Sequence, residues 1–263
     1  MESQDLIIGE HILRIFFETA NAKMLFHRTF PTVLMSFHCE PTVEIQLTVG
    51  YGDPFTDYHI VKQAIFGGFR FMRTDYVIEA EDNYRSVKID VHDSLALKHA
   101  FIHFYSLLIL HDRWGLLIHS SCIADNGNAH MFAGHSGAGK STAAALSQPR
   151  GIIADEAAIM RIRPDGVSVF HSPFRSELQS AAAREPVPWP LAGIHMLYQA
   201  KQHRRTRLTK SEGLLQLLDK VFYWNPSTEE SRAIIHLLKE AADLVPLYDL
   251  HFCKDPEFWE LIS

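Results

Sequence analysis

This 263-residue chain has little cysteine: Cys39, Cys122 and Cys253 lie far apart and make neither a C-x-x-C pair nor a metal-ligand spacing. A reduced, cytoplasmic protein is the expectation from that usage. It lacks an excess of basic residues, with 25 Lys and Arg against 31 Asp and Glu and a net charge of -6, which argues against a globally basic nucleic-acid binder. It lacks a long apolar run. The most apolar stretch, Ala100 to Leu110, contains His103 and falls well short of the ~20 residues a bilayer requires, so it reads as a buried helix and no membrane partner is expected. Met1 to Glu10 carries acids and no basic n-region, so no secretory signal is expected there. Repeats and low-complexity tracts are missing as well. The 16 histidines are scattered. The nearest pair, His99 and His103, has helical i, i+4 spacing but not the Glu of H-E-x-x-H, so no metal site is expected from it. With 47% hydrophobic residues, the chain can bury one substantial core or two smaller ones.

One window carries clear chemistry. Gly134-His135-Ser136-Gly137-Ala138-Gly139-Lys140-Ser141-Thr142 matches G-x-x-x-x-G-K-[ST], a phosphate-binding P-loop. A largely apolar run, Ala129 to Ala133, leads in, and helix-forming residues from Ser141 to Ser147 lead out. Glycines let the backbone curl until its N–H groups point at phosphate, and a helix N-terminus adds partial positive charge. Lys140 is placed to reach the β/γ-phosphates and Ser141 to hold Mg²⁺.

The first third reads as strands at Ile12–Phe17, Thr32–His38, Val43–Val49, Phe69–Phe71, Tyr76–Ala80 and Ser86–Val91, with alternation clearest in Val43-Glu44-Ile45-Gln46-Leu47-Thr48-Val49. Asp93 or Ser94 can cap a helix running to about Asp112. The change of element type there suggests a β-rich N-terminal part over residues 1–93 and a P-loop domain over 94–263. Strands at 115–124 and 129–133 flank an Asn126-Gly127 hairpin turn. A further apolar strand, Gly151 to Glu156, ends in two acids, and a hairpin spans Met160 to Phe170 around Pro164-Asp165-Gly166. A hairpin ahead of the P-loop predicts a mixed sheet in an α/β fold. Helices are expected over Ser211–Tyr223 and Thr228–Leu244, then a strand over Leu247–Phe252 and a closing turn of helix at Pro256–Ile262. Trp189-Pro190-Leu191-Ala192-Gly193 reads as packing.

Asp155 ends its strand beside the P-loop, where a carboxylate can hold Mg²⁺ or water, or accept a proton. Glu156 adds a second acid. Neighbours in a strand face opposite ways, so one of the two is expected to face the phosphates, with Asp155 preferred. His119 sits in an apolar strand, where a histidine is either a satisfied core residue or part of a site. Arg175 can stabilise transition-state charge and Glu177 can help with metal, or the two can be an ordinary surface ion pair. From Lys201 to Lys210 the residues Lys201, His203, Arg204, Arg205, Arg207 and Lys210 occur without an acid. This patch is either a solvated loop or an attractor for an acidic peptide or ATP phosphates. No aromatics interleave with it, which disfavours single-stranded nucleic acid.

The segments Leu117-Ile118-His119-Ser120-Ser121-Cys122-Ile123-Ala124, Phe132 to Thr142, and Gly151-Ile152-Ile153-Ala154-Asp155-Glu156 together resemble the core of the bacterial HPr kinase/phosphorylase family, which is similar to that of phosphoenolpyruvate carboxykinases. The resemblance is clearest from Leu116 to Met160. It implies a mixed-sheet P-loop kinase core with ATP and Mg²⁺ as cofactors. Lys140 and the loop 134–142 would bind the phosphates, and Ser141 with Asp155 and Glu156 the metal. Asp155 would be the base for a substrate serine hydroxyl, and His119 would lie near the transferring group. Glu156 stands where that family has a second Asp, and Ser172 to Leu178 stands in place of its later Gly-rich stretch. The chain therefore looks more like the divergent branch that includes serine kinases acting on lasso-peptide precursors, to which Ala242–Leu250 and Phe258-Trp259 are also similar. The expected activity is γ-phosphoryl transfer to a serine hydroxyl of a peptide or small protein. A small-metabolite kinase and a non-catalytic nucleotide-binding regulatory module are the alternatives, and a homo-oligomer is left open.

Overall fold

The computed structural model describes residues 2–31, 40–175 and 187–262. The expected strand Thr32–His38, Cys39 and Glu177 lie outside these. The fold is α/β, with two mixed sheets, five α-helices and one 3-10 helix among the described residues. It divides into two compact units, the first running through His111 and including Tyr223–Pro226.

The first unit holds β1 (Glu2–Ile8), β2 (His11–Phe17), α1 (Ala20–Thr29), β3 (Val43–Val49), β4 (Val61–Ile65), β5 (Gly68–Met72), β6 (Tyr76–Glu81), β7 (Ser86–Val91) and α2 (Ser94–His111). Its sheet runs β1-β2-β3-β7-β6-β5-β4. β3 pairs parallel with both β2 and β7, and the remaining pairs are antiparallel. Val43, Ile45 and Leu47 of β3 are buried while Glu44 and Gln46 are exposed, as the alternation predicts. Asp93 caps α2 by accepting the Ala96 N–H at 2.9 Å. Its residues from Ala100 to Leu110 are all buried, the pattern of a helix that is apolar all round. Because α2 packs on α1, β6 and β7, it belongs with the first sheet, and the division between units falls after His111 rather than at residue 93. No helix among the described residues is long and apolar enough to cross a membrane.

The second unit contains β8 (Gly115–Asp125), β9 (Asn128–Ala133), α3 (Lys140–Leu146), β10 (Gly151–Ala154), β11 (Ala157–Arg163), β12 (Gly166–Phe170), β13 (Trp189–Gln199), β14 (Arg204–Arg207), α4 (Lys210–Leu218), α5 (Thr228–Leu244), β15 (Leu247–Phe252) and a 3-10 helix (Pro256–Leu261). Asn126 and Gly127 turn between β8 and β9 with φ of 47° and 81°, the backbone a two-residue hairpin needs. The long strand β8 pairs β9 on one edge, and β10 followed by β11 on the other, all antiparallel. β13 runs parallel to β9 and to β15, and β12 joins β11 to β13. Pairings therefore close a circuit β8–β11–β12–β13–β9–β8. Capping boxes at Thr209/Glu212 and Ser227/Glu230 start α4 and α5.

Three segments add to or differ from expectation. Trp189 to Gly193, read as packing, forms the first half of the 11-residue β13 with Leu191 and Gly193 buried; Pro190 is tolerated because it stands near the strand's start. Arg204–Arg207 is an edge strand rather than a loop. α4 ends at Leu218, short of Tyr223, because the following residues pair with β8: Phe222 N–H donates to Leu117 O at 2.9 Å and Val221 bridges Ile118.

Candidate functional site

β9 leads directly into the Gly134–Gly139 loop, and α3 opens at Lys140. Gly139 has φ of +106°, and a Cβ there would come within 2.7 Å of the Phe252 ring. Backbone conformation and space both demand glycine at this position. Gln199 Nε2 donates to Gly137 O at 2.7 Å, so the end of β13 holds the loop tip. No side chain caps α3, which leaves its first N–H groups oriented toward whatever acceptor occupies the loop. Lys140 Nζ donates to Gly134 O at 3.0 Å and His135 O at 3.2 Å, so the ammonium rests on the loop's own carbonyls. Ser136, Gly137 and Ser141 are exposed, while Ala138 and Gly134 are buried and Thr142 is half-buried. Ser121 Oγ donates to Lys140 O at 3.1 Å, tying α3 to β8.

The C-terminus buttresses this loop. Ala138, Ala143 and Ala144 pack in one cluster with Phe132, Phe252, Phe258, Trp259 and Ile262. Trp259 Nε1 donates to Ser147 Oγ at 3.0 Å, and Arg150 lies over the Trp259 ring at 4.2 Å.

The acids stand on the other side of β8. Ala154 pairs with Cys122 and Ala157 with His119, so Asp155 and Glu156 interrupt the line from β10 to β11 opposite Ser120 and Ser121. On its far edge β8 pairs Ser120 with Ala133 and Ser121 with Phe132. One strand thus separates the acids from the root of the P-loop, which sets the two edges about 10 Å apart. β9 and β10 both run antiparallel to β8, so loop and acids both follow the C-terminal ends of strands. Asp155 is buried and Glu156 half-buried. Both lie past the last residue of β10, so the strand alternation expected to face them oppositely does not govern them. Arg175 Nη2 donates to Ile153 O at 3.4 Å, which puts this side chain against β10 just before the acids.

His119 is half-buried against the Phe222 ring, 5.3 Å between centroids. Burial, then the positive charges of Lys140 and Lys220, push its pKa down to about 4, so the ring is neutral at pH 7. The Lys140 ammonium is likewise lowered from its ordinary value, by burial and then by Lys220. Sequence reasoning missed Lys220, which lies in a stretch read as the end of a helix. A cavity of about 340 Å³ opens beside the loop, lined by Gly134 and His135, by Met196 to Tyr198 of β13, by Leu215 and Gln216 of α4, and by Asp219 and Lys220.

The basic patch does not line this cavity, and several of its charges have partners. Arg204 meets His251 at 3.2 Å, Arg205 donates to Leu261 O at 2.7 Å over the Tyr248 ring, and Lys210 pairs with Asp243 at 2.6 Å. Among the described residues, His203, Cys253 and Asp255 form a group that can meet a metal ion, with ligand atoms within 4.8 Å of one another. Both ring nitrogens of His203 are engaged, however, Nε2 with Asp255 and Nδ1 with the Cys253 N–H, and Asp255 also caps the 3-10 helix. The group reads as a hydrogen-bonded staple. His99 and His103 turn to Arg73 and Tyr76, not to each other.

Residues 89–263, more than half of the chain, match the family described as SynChlorMet cassette protein ScmC. No curated protein is similar enough to the chain to count as a match.

Proposed function

The chain belongs to the family of SynChlorMet cassette protein ScmC, and for its site we propose ATP-dependent, Mg²⁺-requiring transfer of a phosphoryl group to a serine hydroxyl of a peptide or small protein, in the manner of HPr-kinase-like enzymes. The observation that carries this reading is the convergence on β8 of a P-loop from one edge and a buried carboxylate, Asp155, from the other. A nucleotide-binding module needs the loop; an acid beside it supplies the group a hydroxyl acceptor needs.

The residues present fit ATP and Mg²⁺. Space and conformation at Gly139 hold the loop curled, α3 presents uncapped N–H groups, and Ser141 is exposed next to Lys140. Ser141, Asp155 and Glu156 would hold the metal, which when bound offsets phosphate charge. Lys140 would leave the Gly134 and His135 carbonyls to engage the phosphates, and the loop backbone would position them. Asp155 would accept the serine proton as the serine oxygen bonds to the γ-phosphorus. The bond from that phosphorus to the β,γ-bridging oxygen breaks, and ADP leaves with its electron pair. His119, neutral at pH 7, would give or accept a hydrogen bond beside the transferring group without adding charge. Arg175 stands near the same strand end to offset developing negative charge.

The test is incubation with γ-labelled ATP and Mg²⁺ in the presence of serine-containing peptides, with mass spectrometry of the peptides. Lys140→Ala should lower transfer by about 10²- to 10³-fold. Asp155→Asn should bind ATP and fail to transfer. Full activity in Asp155→Asn removes Asp155 as base, and ATP binding with no transfer to any hydroxyl in the wild type leaves a nucleotide sensor instead.

A further inference from the structure

We infer that Lys220 is a second phosphate-binding cation of this site, set against the β/γ end of the nucleotide opposite Lys140. The inference rests on the phosphotransfer reading and names a residue which that reading does not require.

Backbone geometry fixes the position. The His119 N–H donates to Lys220 O at 2.7 Å, Val221 bridges Ile118, and the Phe222 N–H donates to Leu117 O. Residues 220–222 are therefore stitched to β8 at Leu117 to His119, directly before Ser120, where the strand's pairing with β9 ends at Ala133. From there Lys220 lines the same cavity as Gly134 and His135. These two residues supply the carbonyls on which the Lys140 ammonium now rests. In a P-loop the lysine is the group that reaches the β/γ-phosphates. Lys220 thus shares a wall with that end of the site.

Burial adds a second argument. The Lys220 side chain is only 10% exposed, yet its described partner Asp219, at 2.6 Å, is 70% exposed. An ammonium offers three donors, and one largely solvated carboxylate at the rim is weak compensation for a desolvated charge. Two nearby nitrogens, on His119 and Lys140, carry the depressing effect of Lys220's charge. Concentrating cationic groups around a cavity opposes folding unless an anion arrives to use them. A polyphosphate supplies the charge and the acceptor oxygens; a neutral sugar or base supplies neither.

The experiment measures binding by titration calorimetry, using ATP, AMP and inorganic tripolyphosphate as probes, on wild type, Lys220→Met, Lys220→Arg and Asp219→Asn. Lys220→Met should weaken ATP and tripolyphosphate by about tenfold to a hundredfold, as expected for losing one charge-assisted hydrogen bond, and change AMP little. Lys220→Arg should recover most of the loss. Asp219→Asn separates ligand binding from structure. It frees the ammonium, so tripolyphosphate should bind as tightly as in wild type or tighter. If the ion pair is merely structural, Asp219→Asn will weaken binding as Lys220→Met does, and the inference fails. It also fails if Lys220→Met, folded by circular dichroism, binds ATP and tripolyphosphate like wild type. If wild type binds neither ATP nor tripolyphosphate, the phosphotransfer reading itself falls.

Discussion

Gly139→Ala tests whether the loop is shaped by its packing as well as by its sequence. At φ of +106° the residue lies in left-handed space, where an alanine is strained by about 1–2 kcal/mol. Its Cβ would also stand 2.7 Å from Cζ and 3.2 Å from Cε1 of Phe252. Phe252 is buried in a cluster with Phe132, Phe258 and Trp259, so the ring has little room to retreat, and overpacking of this kind costs about 1–3 kcal/mol. Together the two effects predict a loss of about 2–5 kcal/mol, a large share of the ~5–15 kcal/mol that holds a domain folded. Phe252→Leu shortens the ring side chain and removes the clash but leaves the backbone strain. Gly139→Ala should therefore cost about 1–3 kcal/mol less in the Phe252→Leu background than in wild type. Urea unfolding of the four proteins in the cycle, followed by tryptophan fluorescence, reads this coupling, and Trp259 reports from within the cluster. Strict additivity within about 0.5 kcal/mol would refute the steric argument, and a total cost under about 1 kcal/mol would refute both halves.

Two further outcomes follow from buried charges and rings. Burial holds His119 and His99 down to about 4 and His103 down to about 3, with cationic neighbours adding to it, and keeps His195 well below its ordinary value. Their folded pKa values lie below the unfolded value of about 6.5, so as pH falls below 6.5 the unfolded chain takes up protons that the folded chain refuses. Stability should be full above that pH and fall progressively toward pH 4; urea midpoints at pH 7.5, 6.5, 5.5 and 5 check this, and a flat series counts against it. In the first unit, Arg73 and Asp75 are a bidentate pair with 1% and 0% side-chain exposure, at 2.6 and 2.8 Å. Asp75→Asn should cost about 3–5 kcal/mol in urea unfolding by leaving a buried guanidinium without its carboxylate, and Arg73→Met combined with Asp75→Leu should cost less than that single change; a double replacement as damaging as the sum of the singles would contradict it.

What the sequence revealed follows from how far each signal reaches along the chain. The P-loop, the Asn126-Gly127 turn, the alternating β3 and the amphipathic α5 each carry their pattern within a few residues, and all stand where expected. β4 was illegible because Val61-Lys62-Gln63-Ala64-Ile65 buries no residue fully and so shows no apolar face. β13 was hidden by Pro190 and by the continuous burial of Gly193 to Leu197, which erases the two-residue period. The reach of α2 was legible but its allegiance was not, since an all-round apolar helix says that it is covered without saying by what.

The candidate site was legible in pieces for the same reason. His119, the loop and the acids each announce themselves locally, yet what joins them is β8. Positions 119–121 of this strand have Phe132 and Ala133 on one edge, Asp155 to Ala157 on the other, and receive Lys220 through a backbone hydrogen bond. The paired residues arrive from 11 (Ser121 to Phe132) to 38 (His119 to Ala157) residues downstream, and Lys220 from about 100, so no short window of sequence contains the geometry. The pairing also explains why the acids sit at a break. A regular ladder through residues 155 and 156 would send one side chain to each face. Instead the register shifts between Ile152 and Ala154 and regular pairing resumes at Ala157, so the two carboxylates are released from the alternation at the level of the P-loop root. Irregular pairing is a common way to re-aim side chains, and here it frees Asp155 and Glu156, the two residues between β10 and the regular β11, one strand away from the loop that carries Lys140.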